Sequence, residues 1–269
     1  MEGSLFYKPR NLFIDVVDPK DYIQIDSTFH MYTALKSSVQ KPLKMILLYG
    51  KPGTGKSMML QKLHQDLSKF KKVLMIDVPI MDESDFLKVI SEKLFGHSPR
   101  GEVTLVRFLE LTQAVSFDDT PIVILDEAQL YSTNLMEKIR IISDSRAIKF
   151  IISLHKTDNE DLIAKEHFQT RIWESIELKN ATPDELKIYI QKKLLKSNCF
   201  DVANMFSEKS IKKIIKFTKG NYRDTNKLLY TLFSLYMWYE ENRPATLNRD
   251  IISNKIIELA AIHTGLVRV

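Results

Sequence analysis

One cysteine, Cys199, stands in 269 residues, which excludes an internal disulfide framework and fits a reducing compartment. With no nucleophile signature near it, Cys199 reads as an ordinary structural residue. Long apolar runs are absent too. The greasiest stretch, Leu228 to Tyr239, contains Thr231 and Ser234 and is too short to span a bilayer. A core helix is expected there, and stable membrane insertion is not. The N-terminus reaches Glu2 at once and lacks an apolar core segment, so no secretory leader is expected. A cytoplasmic location follows, or one peripheral to the inner membrane through a partner. Repeats, low-complexity segments and zinc-ligand spacings are also missing. Neither sign of charge prevails: the net value of +5 is compatible with nucleic acid or an acidic protein surface and establishes neither. The 44% hydrophobic content and 269 residues are enough to bury a full core, as one large domain or as a medium domain with a small one.

What is present is concentrated in two short segments. Apolar Met45-Ile46-Leu47-Leu48 leads into Gly50, Lys51, Pro52, Gly53, Thr54, Gly55, Lys56 and Ser57, which fit G-x-x-x-x-G-K-[ST]. Glycines let successive backbone N–H groups converge on a phosphate, and Pro52 stiffens the loop. Lys56 is placed to reach the β- and γ-phosphates, and the Ser57 hydroxyl to ligate Mg²⁺. Met58 and the residues after it read as a helix whose N-terminal amides favour the anion. The second segment is Ile122-Val123-Ile124-Leu125-Asp126-Glu127. Asp126 ends a buried strand and would hold the Mg²⁺ shell, while Glu127 would orient and polarise an attacking water. An acidic pair alone can simply cap a helix; after an apolar strand and downstream of this loop, the catalytic reading is favoured. ATP and Mg²⁺ are the expected cofactors; no Asn-Lys-x-Asp segment occurs to read guanine, and adenine rests on that absence together with the family resemblance that the whole chain carries.

Along the chain, helices are expected over 29–40, after the loop at 58–63, at about 86–94 with Asp82 or Ser84 as cap, over 103–115 and over 135–142. Strands are expected at 45–48, 73–78, 122–125 and 149–154. Such βα alternation predicts an α/β parallel sheet covered by helices on both faces. After about residue 180 the strands stop. Thr182-Pro183-Asp184-Glu185 opens a helix, and further helices over 207–218, 223–240 and 248–262 predict a small all-helical lid. The division expected is residues 1–180 as the nucleotide-binding domain, including an N-terminal entry segment, and 181–269 as the lid.

This arrangement resembles an AAA+ ATPase, most closely the general-secretion-pathway A-type ATPases, which share their fold with transposition ATPases of the MuB and TniB kinds. The resemblance spans about 250 residues. It rests on Asp18-Pro19 with Tyr22, His30 and Ala34-Leu35, on Leu135 through Ser143, on Phe168 through Ile172, on the start of the lid at Thr182 and on Gly220-Asn221-Tyr222-Arg223. It implies that His155, just past the fourth strand, senses the γ-phosphate or the water, with a charge near pH 6.5 that would add pH sensitivity. Arg223 is implied as a phosphate contact from the lid. Arg171, or in its place Arg140, would act on a neighbour's ATP in a homo-oligomer. Each has a plain alternative, as a strand-end histidine, a helix-start residue and ordinary ion pairs. Asp77 departs from the neutral polar residue expected at the second strand's end, so a restraint on Glu127 from there is doubtful. The sequence stops at Val269, after the lid, so membrane anchoring and wall binding are not transferred.

Two functions follow from the resemblance. The leading one is an ATPase that assembles on ATP and remodels or positions a protein partner in a membrane-associated pilus, secretion or motility machine. Its rival is an ATP-dependent DNA-binding protein of the transposition or replication-initiation type. Lys209, Lys212, Lys213 and Lys216 follow i,i+3/i+4 spacing, and with Lys219 they support the rival, although a solvated face explains them as well. A nucleotide-gated scaffold with feeble hydrolysis is the third reading.

Overall fold

The computed structural model describes residues 3–97, 99–112, 120–155, 171–247 and 250–267. The chain divides into two compact units: Ser27–Pro52 with Lys56–Leu178, and Met1–Asp26 with Gly53–Gly55 and Lys179–Val269.

The first unit is built on a parallel sheet of β1 (Met45–Gly50), β2 (Val73–Ile76), β3 (Ile122–Leu125), β4 (Lys149–His155) and β5 (Ile172–Leu178). Their order is β2-β3-β4-β1-β5, and every pairing is parallel. The run Ile122-Val123-Ile124-Leu125 is buried throughout, as a central strand covered on both faces requires. Helices cover the sheet because each turns an apolar stripe to it. On α2 (Asp26–Gln40) the stripe is Tyr32, Leu35 and Val39; on α3 (Lys56–Leu67) it is Met59, Leu60, Leu63 and Leu67. These side chains share one apolar cluster with Ile46, Leu48, Ile124 and Ile151. A second cluster gathers Met45, Leu47, Val123, Leu125 and Phe150 with α4 (Glu83–Phe95), α5 (Leu105–Thr112) and α6 (Thr133–Asp144). Asp82 caps α4 by accepting from the Asp85 amide, as its sequence position suggests. The expected helix over 103–115 is seen as Leu105–Thr112, and its last three positions lie outside the described residues.

β5 is the element that the sequence pattern hides. Only Ile176 and Leu178 are buried along it, and Trp173 is 69% exposed. An edge strand needs one apolar face at most, and Glu174 and Glu177 interrupt the run that would have marked it.

The second unit is helical: α7 (Pro183–Lys196), a one-turn α8 (Phe200–Asn204), α9 (Glu208–Thr218), α10 (Tyr222–Asn242) and α11 (Asn254–His263). Thr182 and Glu185 close a reciprocal capping box at the start of α7, with bonds of 3.3 and 2.8 Å. The last helix begins later than expected, after a 3-10 turn at Pro244–Thr246.

The N-terminal segment is where the expected division fails. Residues through Asp26 group with these helices and not with the sheet. Phe6 and Phe13, just before and just after the short α1 (Tyr7–Leu12), are fully buried among Leu228, Leu232, Phe233 and Tyr236. Their rings lie 4.5 Å from Tyr236 and 5.8 Å from Phe233, respectively. Two aromatic side chains of this size outweigh chain proximity in deciding where the segment packs.

Candidate active site

In the sheet unit the candidate groups collect where strands end. Strand β1 runs into the loop at Gly50, and Lys56 opens α3. Lys56 is 5% exposed, and its ammonium donates to the carbonyls of Gly50 at 2.9 Å and Lys51 at 3.1 Å. A buried cation needs such oxygens, and phosphate oxygens would suit it as well or better. Ser57 is the second residue of the same helix, half-buried.

Strand β3 delivers Asp126, 4% exposed, whose own amide continues the sheet by donating to Ile76 at 3.0 Å. Its carboxylate accepts from the Glu127 amide at 3.0 Å. Glu127 then turns into the left-handed region, with φ 52° and ψ 38°, a conformation that costs a non-glycine residue about 1–2 kcal/mol. Its carboxylate is held from two sides. His155, the last residue of β4, places Nε2 3.0 Å from Glu127 Oε1. The side-chain amide of Gln129 donates to Glu127 Oε2. Gln129 also reaches His155 twice: its Nε2 lies 3.3 Å from Nδ1, and its Oε1 accepts from the His155 amide at 3.3 Å.

Burial and the nearby Lys56 ammonium hold the His155 imidazole below its ordinary value, against the opposite pull of Glu127 and Asp126. A neutral ring with its proton on Nε2 fits this network: Nε2 donates to Glu127 and Nδ1 accepts from Gln129. Asp77 is exposed; among the described residues it is His155 and Gln129 that hold Glu127.

The two arginines considered as trans-acting groups share one carboxylate. Arg171 Nε lies 3.3 Å from Asp144 Oδ2, and Arg140 reaches the same oxygen at 3.0 Å while also pairing with Glu137. Lys44 completes the cluster at 2.8 Å. Burial would raise the Asp144 carboxyl, but Lys44 and Arg171 outweigh it and hold the group below its usual range. Phe168, Gln169 and Thr170, the rest of the expected arginine segment, lie outside the described residues.

The helical unit contains the tip of the phosphate loop, Gly53–Gly55. Gly53 has φ +77°, and a Cβ there would meet Asn221 Oδ1 at 2.3 Å, so no other residue fits without displacing its neighbours. Its carbonyl accepts from the Tyr222 amide at 3.1 Å and the Arg223 amide at 3.4 Å. The start of α10 is fixed further by Gly220, also at φ +77°, where a Cβ would lie 2.0 Å from the Ala181 carbonyl. Arg223 itself extends to Asp15, Nε to Oδ2 3.4 Å, with both side chains more than half exposed. Pro52, Thr54 and Met58 complete the loop and its exit; Thr54 is buried and Met58 half-buried.

Gln129 is the participant that sequence reasoning passed over. Its only signal is its place in Asp126-Glu127-Ala128-Gln129, two residues past the acid, and no propensity or periodicity distinguishes it from a surface glutamine.

The donor set suits a magnesium nucleotide. A buried carboxylate and a hydroxyl are hard oxygen ligands, and no cluster of three or more His, Cys, Asp or Glu able to cage a metal occurs among the described residues. Mg²⁺ characteristically takes one or two protein oxygens and draws the rest from phosphate and water.

Residues 40–162 match the family model described as an AAA domain. Fold, family match and site together define the class: an ATP-hydrolysing enzyme whose residues 40–162 carry an AAA domain. Solved structures sharpen the fold. The chain is similar to Cdc6p from Pyrobaculum aerophilum, at 15% identity and a TM-score of 0.68, covering 94% of this chain and 70% of that one. It is similar to Aeropyrum pernix ORC2 in ADPNP–ADP complexes, at 13% identity and TM-score 0.62, covering 97% and 72%. Aeropyrum pernix ORC1 in complex with DNA gives 13% identity and TM-score 0.63, covering 94% and 69%. No curated protein matches the sequence. No helix among the described residues is long and apolar enough to cross a membrane.

Proposed function

We propose that this ATPase binds DNA in a nucleotide-dependent manner, and that ATP turnover at the Lys56–Asp126–Glu127 site changes its hold on the duplex. The observation that carries this reading is the likeness over 94% of the chain to ORC1 in complex with DNA. The likeness to ORC2 in ADPNP–ADP complexes supports an adenine nucleotide as its ligand. The lysine face on α9 agrees with it. Lys209, Lys212, Lys216 and Lys219 are exposed, while Lys213 pairs with Glu258. This reading takes precedence over the secretion or pilus setting, which rests on the sequence resemblance alone.

In the hydrolytic step Lys56 would neutralise and orient the terminal phosphates, and Ser57 Oγ with the Asp126 carboxylate would hold Mg²⁺. The metal, when bound, supplies charge neutralisation of the phosphates. Glu127 would align the attacking water and accept its proton, with His155 holding the opposite side of the carboxylate. Arg171, released from Asp144, would serve a neighbouring copy in a homo-oligomer.

The test is fluorescence anisotropy of a labelled duplex, with and without ATP, across a salt series. ATP-dependent binding is expected, with an affinity that falls steeply as salt rises. Replacing Lys212 and Lys216 together by Glu should cost about tenfold or more in affinity and flatten the salt slope. Absence of ATP-dependent binding at low salt would refute the proposal.

A further inference from the structure

We propose that Gln129 is a positioning residue for the hydrolytic carboxylate: its side-chain amide locks Glu127 to the end of β4. The inference rests on the reading of Glu127 as the group that orients the attacking water.

The geometry is over-determined in one orientation only. Gln129 offers two amide hydrogens and one carbonyl oxygen, and all three have partners: Glu127 Oε2, His155 Nδ1 at 3.3 Å and the His155 backbone amide at 3.3 Å. Rotating the amide by half a turn would set its oxygen against the Glu127 carboxylate and its NH₂ against the His155 N–H. Both contacts would then be repulsive. The network therefore fixes the amide, and the fixed amide fixes the carboxylate.

The anchor at the far end is backbone. The His155 N–H sits at the terminus of a strand paired with β1 along Met45 to Gly50. Glu127 itself lies outside β3, on a left-handed residue followed by the single 3-10 turn Ala128–Leu130. Regular sheet bonding gives it no support there. Gln129 bridges that gap, tying the irregular turn that holds the acid to the sheet carrying His155. A carboxylate left to rotate about its own side-chain bonds would sample geometries unproductive for water attack, and misplacement of about 1 Å can cost 100-fold in rate.

Three variants test this: Gln129→Leu, Gln129→Asn and Glu127→Gln. ATP turnover, KM and nucleotide affinity by a fluorescent analogue would be measured for each. Gln129→Leu removes every bond at similar size, and it should lower kcat about tenfold or more while KM and nucleotide affinity stay within about twofold. Gln129→Asn, which keeps the amide on a shorter arm, should recover part of that loss. In a Glu127→Gln background, Gln129→Leu should cost nothing further, because it acts through the acid already removed. A Gln129→Leu protein with unchanged or raised kcat would overturn the proposal. So would an equal fall in nucleotide affinity, or an undiminished further loss in the Glu127→Gln background. Near-normal turnover of Glu127→Gln alone would instead defeat the reading of Glu127 and leave its own distinct signature.

Discussion

The two units solve the burial of charge in opposite ways. In the sheet unit Lys56 and Asp126 are buried and His155 and Glu127 half-buried, each with named oxygen or nitrogen partners. The helical unit buries rings: Phe6, Phe13, Phe206, Phe233 and Tyr236 form the centre of its cluster. Most of its charges lie outside, as in the Arg223–Asp15 pair and along the lysines of α9, while Lys193 is buried over the rings of Phe13 and Tyr189. Strand ends allow the first arrangement, because backbone groups released from the ladder can hold ionic side chains out of water. Amphipathic helices favour the second, since one stripe serves the core and the remainder is left to solvent or to a partner.

The sharpest way to test that contrast is at Glu127. Glu127→Gln should lower ATP turnover by about 100-fold or more while nucleotide affinity and melting temperature remain near the parent values. Steady-state turnover beside an equilibrium binding titration separates the two. Arg223 tests the other side. Its exposed pair with Asp15 should contribute under about 1 kcal/mol to stability, so Arg223→Ala should leave the melting temperature almost unchanged. A fall in turnover of about tenfold in that variant would then report a contact with nucleotide and not a loss of folding. Unchanged turnover would return Arg223 to the exposed surface of its unit.

Asp144 carries the smallest effect. Its carboxyl is held low in the folded chain, so the ionised form is favoured by folding. The resulting stability is present above the unfolded carboxylate value and is lost as pH falls through the depressed folded one. Asp144→Asn should remove that acid-side loss from the pH dependence of urea unfolding. If the parent and the variant lose stability in parallel on acidification, the cluster of Lys44, Arg140 and Arg171 around Asp144 is not the source.

What could be read from sequence was the part in which local pattern and final environment agree. The apolar runs before Gly50 and Asp126 are buried strands, and the phosphate loop and acidic pair announce themselves by residue type at fixed spacing. Thr182 and Glu185 likewise advertise their own capping box. Legibility ended where a partner distant in sequence decides the outcome. Phe6 and Phe13 join the helical unit because Phe233 and Tyr236 are there, and nothing in residues 1–26 says so. Strand β5 gains its place from pairing with β1, in spite of Glu174 and Glu177. Gln129 acquires meaning only when the end of β4 arrives beside it. Arg140 and Arg171 were separate candidates in sequence and turn out to share Asp144.

The left-handed backbone at Glu127 has a consequence for how this chain can evolve. A position at φ 52° is most comfortable for glycine or asparagine, and an acidic side chain there gains its bonds to His155 and Gln129 against the preference of its own backbone. Selection for a firmer fold and selection for turnover therefore pull that codon in opposite directions. Copies that have drifted to glycine or asparagine there would be expected to keep their architecture while surviving only as nucleotide-holding remnants of an ATPase.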